Sequence, residues 1–386
     1  MIKNTYKFYE DTIISNSDRF NLSLLEKSEI QKDLINENIL ILGASGSIGS
    51  IFSKRLLEFK FKNLYLADKN ENELTELNRE IILTTTKNKL KKINYICTDL
   101  TILNLDNIIK NKKITHYLNF SAIKHVRSEE ELISLKYMFA TNSKYFLPNK
   151  KHKLKKVFSI STDKTVNPSS LLGISKTIME KKLTKFKKKN KNVFVSSVRF
   201  ANVSFSNGSI LKYVADRINN KQIFGVPKTI RRYFITHQEA SSLCFKSLLK
   251  KNDSKILTPN DNYLKKDFLI KDLVKKILIL NKYKPKFLSK VNQKIKINKN
   301  YPVLLTKPNT HGQKYFEKFH EKSEKVYDDK DDATVSVVNL PEEKNIDQIL
   351  NYILRLESIN KIKIFLMKKF KSYKPPSNVV KVSQNL

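Results

Sequence analysis

Three of the seven glycines in this chain fall within one stretch, Gly43–Gly49, "GASGSIG", between the apolar run "NILIL" and a segment of helical periodicity. No other feature restricts the fold as tightly. Glycine permits the sharp turn from strand to helix, lets helix and strand pack closely, and leaves backbone bare for a bulky anion. The helix that follows presents N–H groups and a positive dipole end. No GK[ST] follows, which excludes the P-loop form of such a turn. Two readings remain: an ordinary tight βα turn, or a dinucleotide turn in which Gly43, Ser45, Gly46, Ser47, Ile48 and Gly49 surround a pyrophosphate.

The same rhythm continues downstream. "NLYLAD", "INYICTD", "ITHYLNFS", "KKVFSIST" and "NVFVSSVRF" are short apolar runs separated by helical segments. Near-continuous apolar strands alternating with helices predict a parallel sheet covered on both faces, with ligands bound beyond the strand C-termini. The expected fold is therefore α/β: a Rossmann-like doubly wound parallel sheet with a smaller mixed C-terminal substrate lobe. Residues 1–36 read as a helical arm docked on the body, 37–204 as an NAD(P)-binding Rossmann domain, 205–365 as the substrate lobe, and 366–386 as an extended basic tail. Within the lobe, helices are expected at Glu239 to Lys250, Leu264 to Leu280 and Asn345 to Lys361.

Asp68 closes the second strand nineteen residues after Gly49, where an acid accepts from an adenosine ribose. That favours NAD; Lys69 beside it suits a 2′-phosphate, so NADP stays open. An N-cap for the next helix is the competing reading of Asp68. Asp99, with Leu100 after it, closes the third strand as a partner for the adenine edge.

The net charge of +37 misleads. Only nine of the 74 basic residues are arginine and the lysines are spread throughout, unlike the clustered footprint of a nucleic-acid face. No nucleic-acid partner is expected. The field suits anionic ligands, nucleotide sugars included, and leaves room for peripheral contact with an acidic membrane surface. No uncharged apolar run is long enough to span a bilayer, and the N-terminus lacks a signal-peptide pattern. Cys97 and Cys244 lack metal or CxxC spacing and read as reduced core residues of a cytoplasmic protein. The six histidines show no ligand spacing, so no metal is expected.

Taken together, "GASGSIG", "NFSAIKHV", "STDK", "LLGISK", "RRYFIT" (Arg231 to Thr236) and "HGQKYFEKF" (His311 to Phe319) resemble the extended short-chain dehydrogenase/reductases. The resemblance is closest to the polysaccharide-biosynthesis, UDP-N-acetylglucosamine 4,6-dehydratase-like group, and covers roughly Asn38 to Lys325. Many members of that group carry N-terminal transmembrane helices; this chain resembles the short, soluble form. The resemblance implies a tightly bound, recycled NAD or NADP, a UDP-sugar substrate, and a homo-oligomer of dimer size or larger whose dimer face commonly uses helices four and five. The implied reaction oxidises C4 of the sugar, eliminates water across C5 and C6, and returns the hydride to C6, in the service of surface glycan synthesis.

Residue by residue, the resemblance makes Asp163 the acid for the C6 hydroxyl, Lys164 the base for the C5 proton, and Thr162 a hydrogen-bond partner near the C4 oxygen. A solvated ion pair is the plainer reading of Asp163–Lys164. Lys176 would bind the nicotinamide ribose, and Ser121, Ala122 and Lys124 would line the cofactor site. Lys124 and His125 would approach substrate, while Asn202 and Arg232 would hold the diphosphate. Three positions depart from the pattern. Leu172 stands where the superfamily has the tyrosine of YxxxK and part of the group has methionine; it cannot move a proton. Ala201 replaces a glycine, and Gln313 an acid. A UDP-hexosamine 4-epimerase and a non-catalytic Rossmann binding module are the rival readings.

Overall fold

The computed structural model describes residues 2–264, 267–290, 297–306, 317–328, 333–337 and 343–375. Six strands, β1 (Asn38–Leu42), β2 (Asn63–Asp68), β3 (Ile93–Cys97), β4 (His116–Asn119), β5 (Lys156–Ile160) and β6 (Phe194–Val198), pair in parallel in the order 3-2-1-4-5-6. The order reverses between β1 and β4, which opens a crevice at their C-terminal ends.

Alternation along the strands explains the layers. Ile39 and Ile41 point into one apolar cluster with Phe52 and Leu56 of the Ser47–Leu56 helix and Phe245 of the His237–Ser247 helix. Leu40 and Leu42 point into another, with Leu105 and Ile109 on one side and Met179 and Leu183 on the other. β1, β4 and β5 bury every residue, as strands covered on both faces must, whereas β3 leaves Asn94 and Cys97 exposed. Each fully buried Leu or Ile contributes roughly 1.5–3 kcal/mol.

Past residue 204 the chain returns to this sheet. Lys255–Pro259 lies parallel to β6, Thr334–Val337 lies antiparallel to Lys255–Pro259, and Val326–Asp328 completes the edge. The lobe has its own small parallel sheet of Phe224–Pro227, Asn300–Thr306 and Lys284–Leu288, packed on the Ile210–Asn219 and Ile270–Leu280 helices. The helix expected from Leu264 begins at Ile270 instead, because Phe268–Leu269 pairs with Arg231–Arg232 and Asp267 binds the Arg231 guanidinium at 2.8 Å. The helix expected over Asn345 to Lys361 is two, Ile346–Arg355 and Ile359–Lys369, divided where Leu356 turns extended at φ −63°, ψ 139°.

The N-terminal segment packs against the rest of the chain. Tyr6 and Tyr9 stack on Phe205 at 5.6 and 5.5 Å, and Arg19 forms a buried ion pair with Glu239 at 2.5 Å. The two C-terminal helices pack Ile346, Ile349, Ile353, Ile362 and Leu366 against Leu135, Met138, Phe139, Leu171, Ile174 and Ile178. The chain thereby covers one face of its own Leu132–Phe139 and Leu171–Lys189 helices. Cys244 is buried, but Cys97 is exposed, because β3 is the outer strand of the sheet. Among the described residues no helix is long and apolar enough to cross a membrane.

Candidate active site

The glycine turn is built by close approach. Gly43 has φ +72°, and a Cβ there would lie 2.6 Å from the backbone nitrogen of Ser121; a Cβ on Gly49 would lie 2.1 Å from the Gly43 carbonyl oxygen. Both positions exclude any side chain. Gly46 differs: its nearest neighbour would be the Gly43 oxygen at 3.3 Å, so the fold alone demands glycine there far less. Bare backbone with room above it, at a helix N-terminus, is what a pyrophosphate needs.

Beside the turn opens a cleft lined by Gly43, Gly46, Asp68, Lys69, Asp99, Leu100, Ser121 and Ala122 among the expected residues. Asp68 accepts the Ser45 N–H at 3.0 Å with one oxygen and the Asn70 N–H with the other, so it braces the glycine turn from the end of β2. Ser47 accepts the Asn207 N–H at 2.9 Å, which ties the lobe to the start of the glycine helix. Ile48 packs into the core rather than into the cleft.

Two cleft residues and a buried neighbour were not anticipated from sequence and matter. Tyr137 donates to the Asp99 carboxylate and accepts from Lys69 Nζ at 3.0 Å, bridging the two expected adenosine contacts. Burial alone would raise the Asp99 pKa; the hydrogen bonds from Tyr137 and Thr101 and the charge of Lys69 more than offset this and hold it below the usual carboxylate value. Thr141 lines the same wall. Asn142, buried in the Ala140–Lys144 segment, clamps the Ser121–Lys124 loop by exchanging hydrogen bonds of 2.9 Å with both N–H and C=O of Ile123.

At the end of β5, Thr162 donates to Asp163 Oδ1 at 2.8 Å, and Lys164 Nζ lies 3.4 Å from the same oxygen. Asp163 is only 3% exposed, whereas a third of the Lys164 side chain meets solvent. Enclosure pulls the Lys164 pKa down, but Asp163 and Glu317 outweigh it and the net direction is upward. Lys124, which follows the cleft-lining Ser121–Ile123, is exposed; its pKa falls to about 8 through the surrounding protein and the Lys164 charge. It hydrogen-bonds Ser206 at 3.3 Å. His125 packs its ring on Gly208, where a Cβ would meet it at 1.9 Å, so Gly208 rather than a ligand accounts for its seat.

Lys176 is buried, with Nζ donating to the Ile160 carbonyl at 3.0 Å. Leu172 is also buried, in the cluster shared with the C-terminal helices, and its N–H is accepted by the buried Glu129 carboxylate at 3.0 Å. Asn202 and Arg232 both reach Glu317, a residue the sequence reading did not single out: Asn202 Nδ2 donates to its two oxygens at 2.8 and 3.0 Å, and Arg232 Nε lies 3.1 Å away. Burial and the Asp163 charge raise the Glu317 pKa to about 8. Gln313 and the rest of 307–316 lie outside the described residues. One cluster thus gathers Asp163, Lys164, Asn202, Arg232 and Glu317, with Lys124 following the residues that line the cleft beside the glycine turn.

A 3-2-1-4-5-6 parallel sheet, a glycine turn with an acid at the end of β2, and polar residues gathered past β5 define an extended short-chain dehydrogenase/reductase. The sequence profile of the "Polysaccharide biosynthesis protein" family matches residues 39–337, and the chain belongs to that family. It is 28% identical over 309 residues to the capsular polysaccharide biosynthesis protein CapD of Staphylococcus aureus, covering 77% of this chain and 49% of CapD. The probable polysaccharide biosynthesis protein EpsC of Bacillus subtilis is 27% identical over 316 residues, again covering 77% of this chain and 49% of EpsC. The chain thus spans about half the length of these two relatives. The X-ray structure of Pen from Bacillus thuringiensis superposes with a TM-score of 0.64 at 19% identity, covering 83% of this chain and 98% of Pen. A UDP-N-acetylglucosamine 4-epimerase from Methanobrevibacter ruminantium, solved with UDP-N-acetylmuramic acid, gives 0.54 at 15% identity, covering 87% and 100%. These structures share the fold.

Proposed function

We propose that this chain is a nucleotide-sugar-modifying enzyme of polysaccharide biosynthesis, and within that class a 4,6-dehydratase acting on UDP-N-acetylglucosamine or a similar UDP-hexosamine. The observation that carries the reading is the buried Asp163 carboxylate held between the Thr162 hydroxyl and the Lys164 ammonium, on a chain whose Leu172 has no proton to move. The CapD and EpsC kinship supports the pathway class. The epimerase solved with a UDP-sugar, and WbmF of Bordetella bronchiseptica solved with NAD+ and UDP, support the ligand classes.

The cleft fits a nicotinamide dinucleotide, with NAD the form that Asp68 favours. Gly43, Gly46, Asp68, Lys69, Asp99 and Ser121 would hold it, and when bound it supplies hydride acceptance and return. The chain's own residues do the proton work. Thr162 orients the C4 hydroxyl, whose proton passes to a water molecule as C4 is oxidised. Asp163 and Lys164 share one proton, resting as an ion pair. A sugar seated over them excludes water and so favours passing that proton from ammonium to carboxylate. The neutral Lys164 amine then takes the C5 proton as the Asp163 carboxyl protonates the departing C6 hydroxyl. The ion pair is restored, one water leaves, and a solvent proton is added at C5 when C6 is reduced.

Incubation with UDP-N-acetylglucosamine and mass spectrometry tests this. Loss of one water is the expected result. An unchanged mass with an inverted C4 centre identifies an epimerase, and NAD retained without turnover identifies a binding module.

A further inference from the structure

Glu317 belongs to a stretch fixed at several points. The Phe319 ring is buried against Tyr233 at 6.1 Å, and its carbonyl accepts from Arg199 at 3.1 Å. Glu324 pairs with the same guanidinium at 2.7 Å, and Glu321 accepts the Asn167 N–H at 2.9 Å. From this anchored strip the Glu317 side chain, 5% exposed, reaches the two residues expected to bind a diphosphate. An amide NH2 donating to both oxygens, a guanidinium alongside and a lysine ammonium nearby make a cradle for an oxyanion, and a carboxylate sits in it.

We propose that Glu317 is the resident occupant of the diphosphate seat, so that nucleotide-sugar binding is an anion exchange in which the substrate takes Asn202 and Arg232 from it. The inference rests on the reading that this crevice takes a nucleotide diphosphate. The Glu317 carboxylate is a poor permanent tenant, because the buried Asp163 carboxylate faces it and Lys164 divides its attraction between the two. A diphosphate brings more charge and more acceptors to the same donors. Glu317 would then keep the cradle's cations paired when no substrate is bound, and set the threshold an anion must exceed to enter.

Titration calorimetry of the NAD+-loaded chain at pH 9, above the Glu317 pKa of about 8 so that the group carries its charge, with UDP and with uridine tests the exchange. Glu317→Gln keeps shape and removes the competing charge. UDP should bind it at least about tenfold more tightly than wild type, since close charge pairs at binding surfaces couple by more than 1.4 kcal/mol. Uridine, which lacks phosphates, should bind both alike. Glu317→Asp, whose carboxylate falls short of the cradle, should lie between them and carries the test if the Gln variant fails to fold. Equal or weaker UDP binding by both variants, with wild-type binding intact, overturns the exchange and makes Glu317 a brace for Arg232. Absence of UDP binding in wild type overturns the functional reading itself.

Discussion

The Lys176 ammonium donates to the carbonyl oxygen of Ile160, the last residue of β5, at 3.0 Å. That contact seats a cation beneath the strand whose continuation carries Thr162, Asp163 and Lys164. Burial lowers its pKa to about 8, with Glu180 opposing the shift. The fold therefore binds fewer protons than the unfolded chain between about pH 8 and the ordinary lysine value of 10.5, so stability from this group rises with pH across that window. Lys176→Met should remove the rise. Chemical denaturation of the two proteins at pH 7.5 and pH 10.5 should show a difference in pH response of about 3 kcal/mol, alongside lost turnover in the variant.

Asp163→Asn keeps the size of the side chain and removes the shared proton's resting place. Elimination should slow by about 10²–10⁴-fold, while NAD+ binding measured by fluorescence is unchanged. Turnover at the wild-type rate would remove Asp163 from the chemistry.

The glycine turn predicts two different failures. Gly49→Ala places a Cβ 2.1 Å from the Gly43 oxygen, so both melting temperature and NAD+ binding should fall. Gly46→Ala meets nothing closer than 3.3 Å, so the melting temperature should stay within a few degrees while NAD+ binding is lost. Equal loss of stability in both variants would mean Gly46 serves the fold alone.

Arg199, fully buried, binds Glu180 at 2.7 Å and Glu324 at 2.7 Å. Arg199→Met leaves two buried carboxylates without their cation and should cost about 3–5 kcal/mol in urea unfolding. Glu324→Gln retains the shape of one arm and should cost less. Because Arg199 also holds the strip that carries Glu317, the Met variant should loosen that occupant and tighten UDP binding.

The oligomer expectation meets a structural fact: the Leu132–Phe139 and Leu171–Lys189 helices have an apolar face covered by the chain's own Ile346–Arg355 and Ile359–Lys369 helices. Ile353→Asp places a charge in that seam and should loosen it. Size-exclusion chromatography should then show new self-association through the uncovered face, with ANS binding increased.

Much of the fold was readable because it rests on local patterns. Glycines clustered at a strand end, and the largely apolar runs of β1 and β5, leave few alternatives to a covered parallel sheet. What failed was set by distant contacts. The break before Ile270 depends on Asp267 finding Arg231, and the exposure of Cys97 on β3 being outermost. Glu317 meets Asn202 across 115 residues, and no periodicity or spacing announces such a meeting. Tyr137 looked like one more apolar helix residue until Asp99 and Lys69 were placed on either side of it.

The lobe leaves the main sheet twice, after Val198 and after Pro259, and rejoins it at Lys255 and at Val326. It is sewn to its base along two seams instead of hanging from one thread. A chimera that exchanged it as a single cassette would rip out the strand Lys255–Pro259 and bare the flank of β6. New sugar preferences in this architecture must come by editing the two excursions separately, leaving the stitches between them in place.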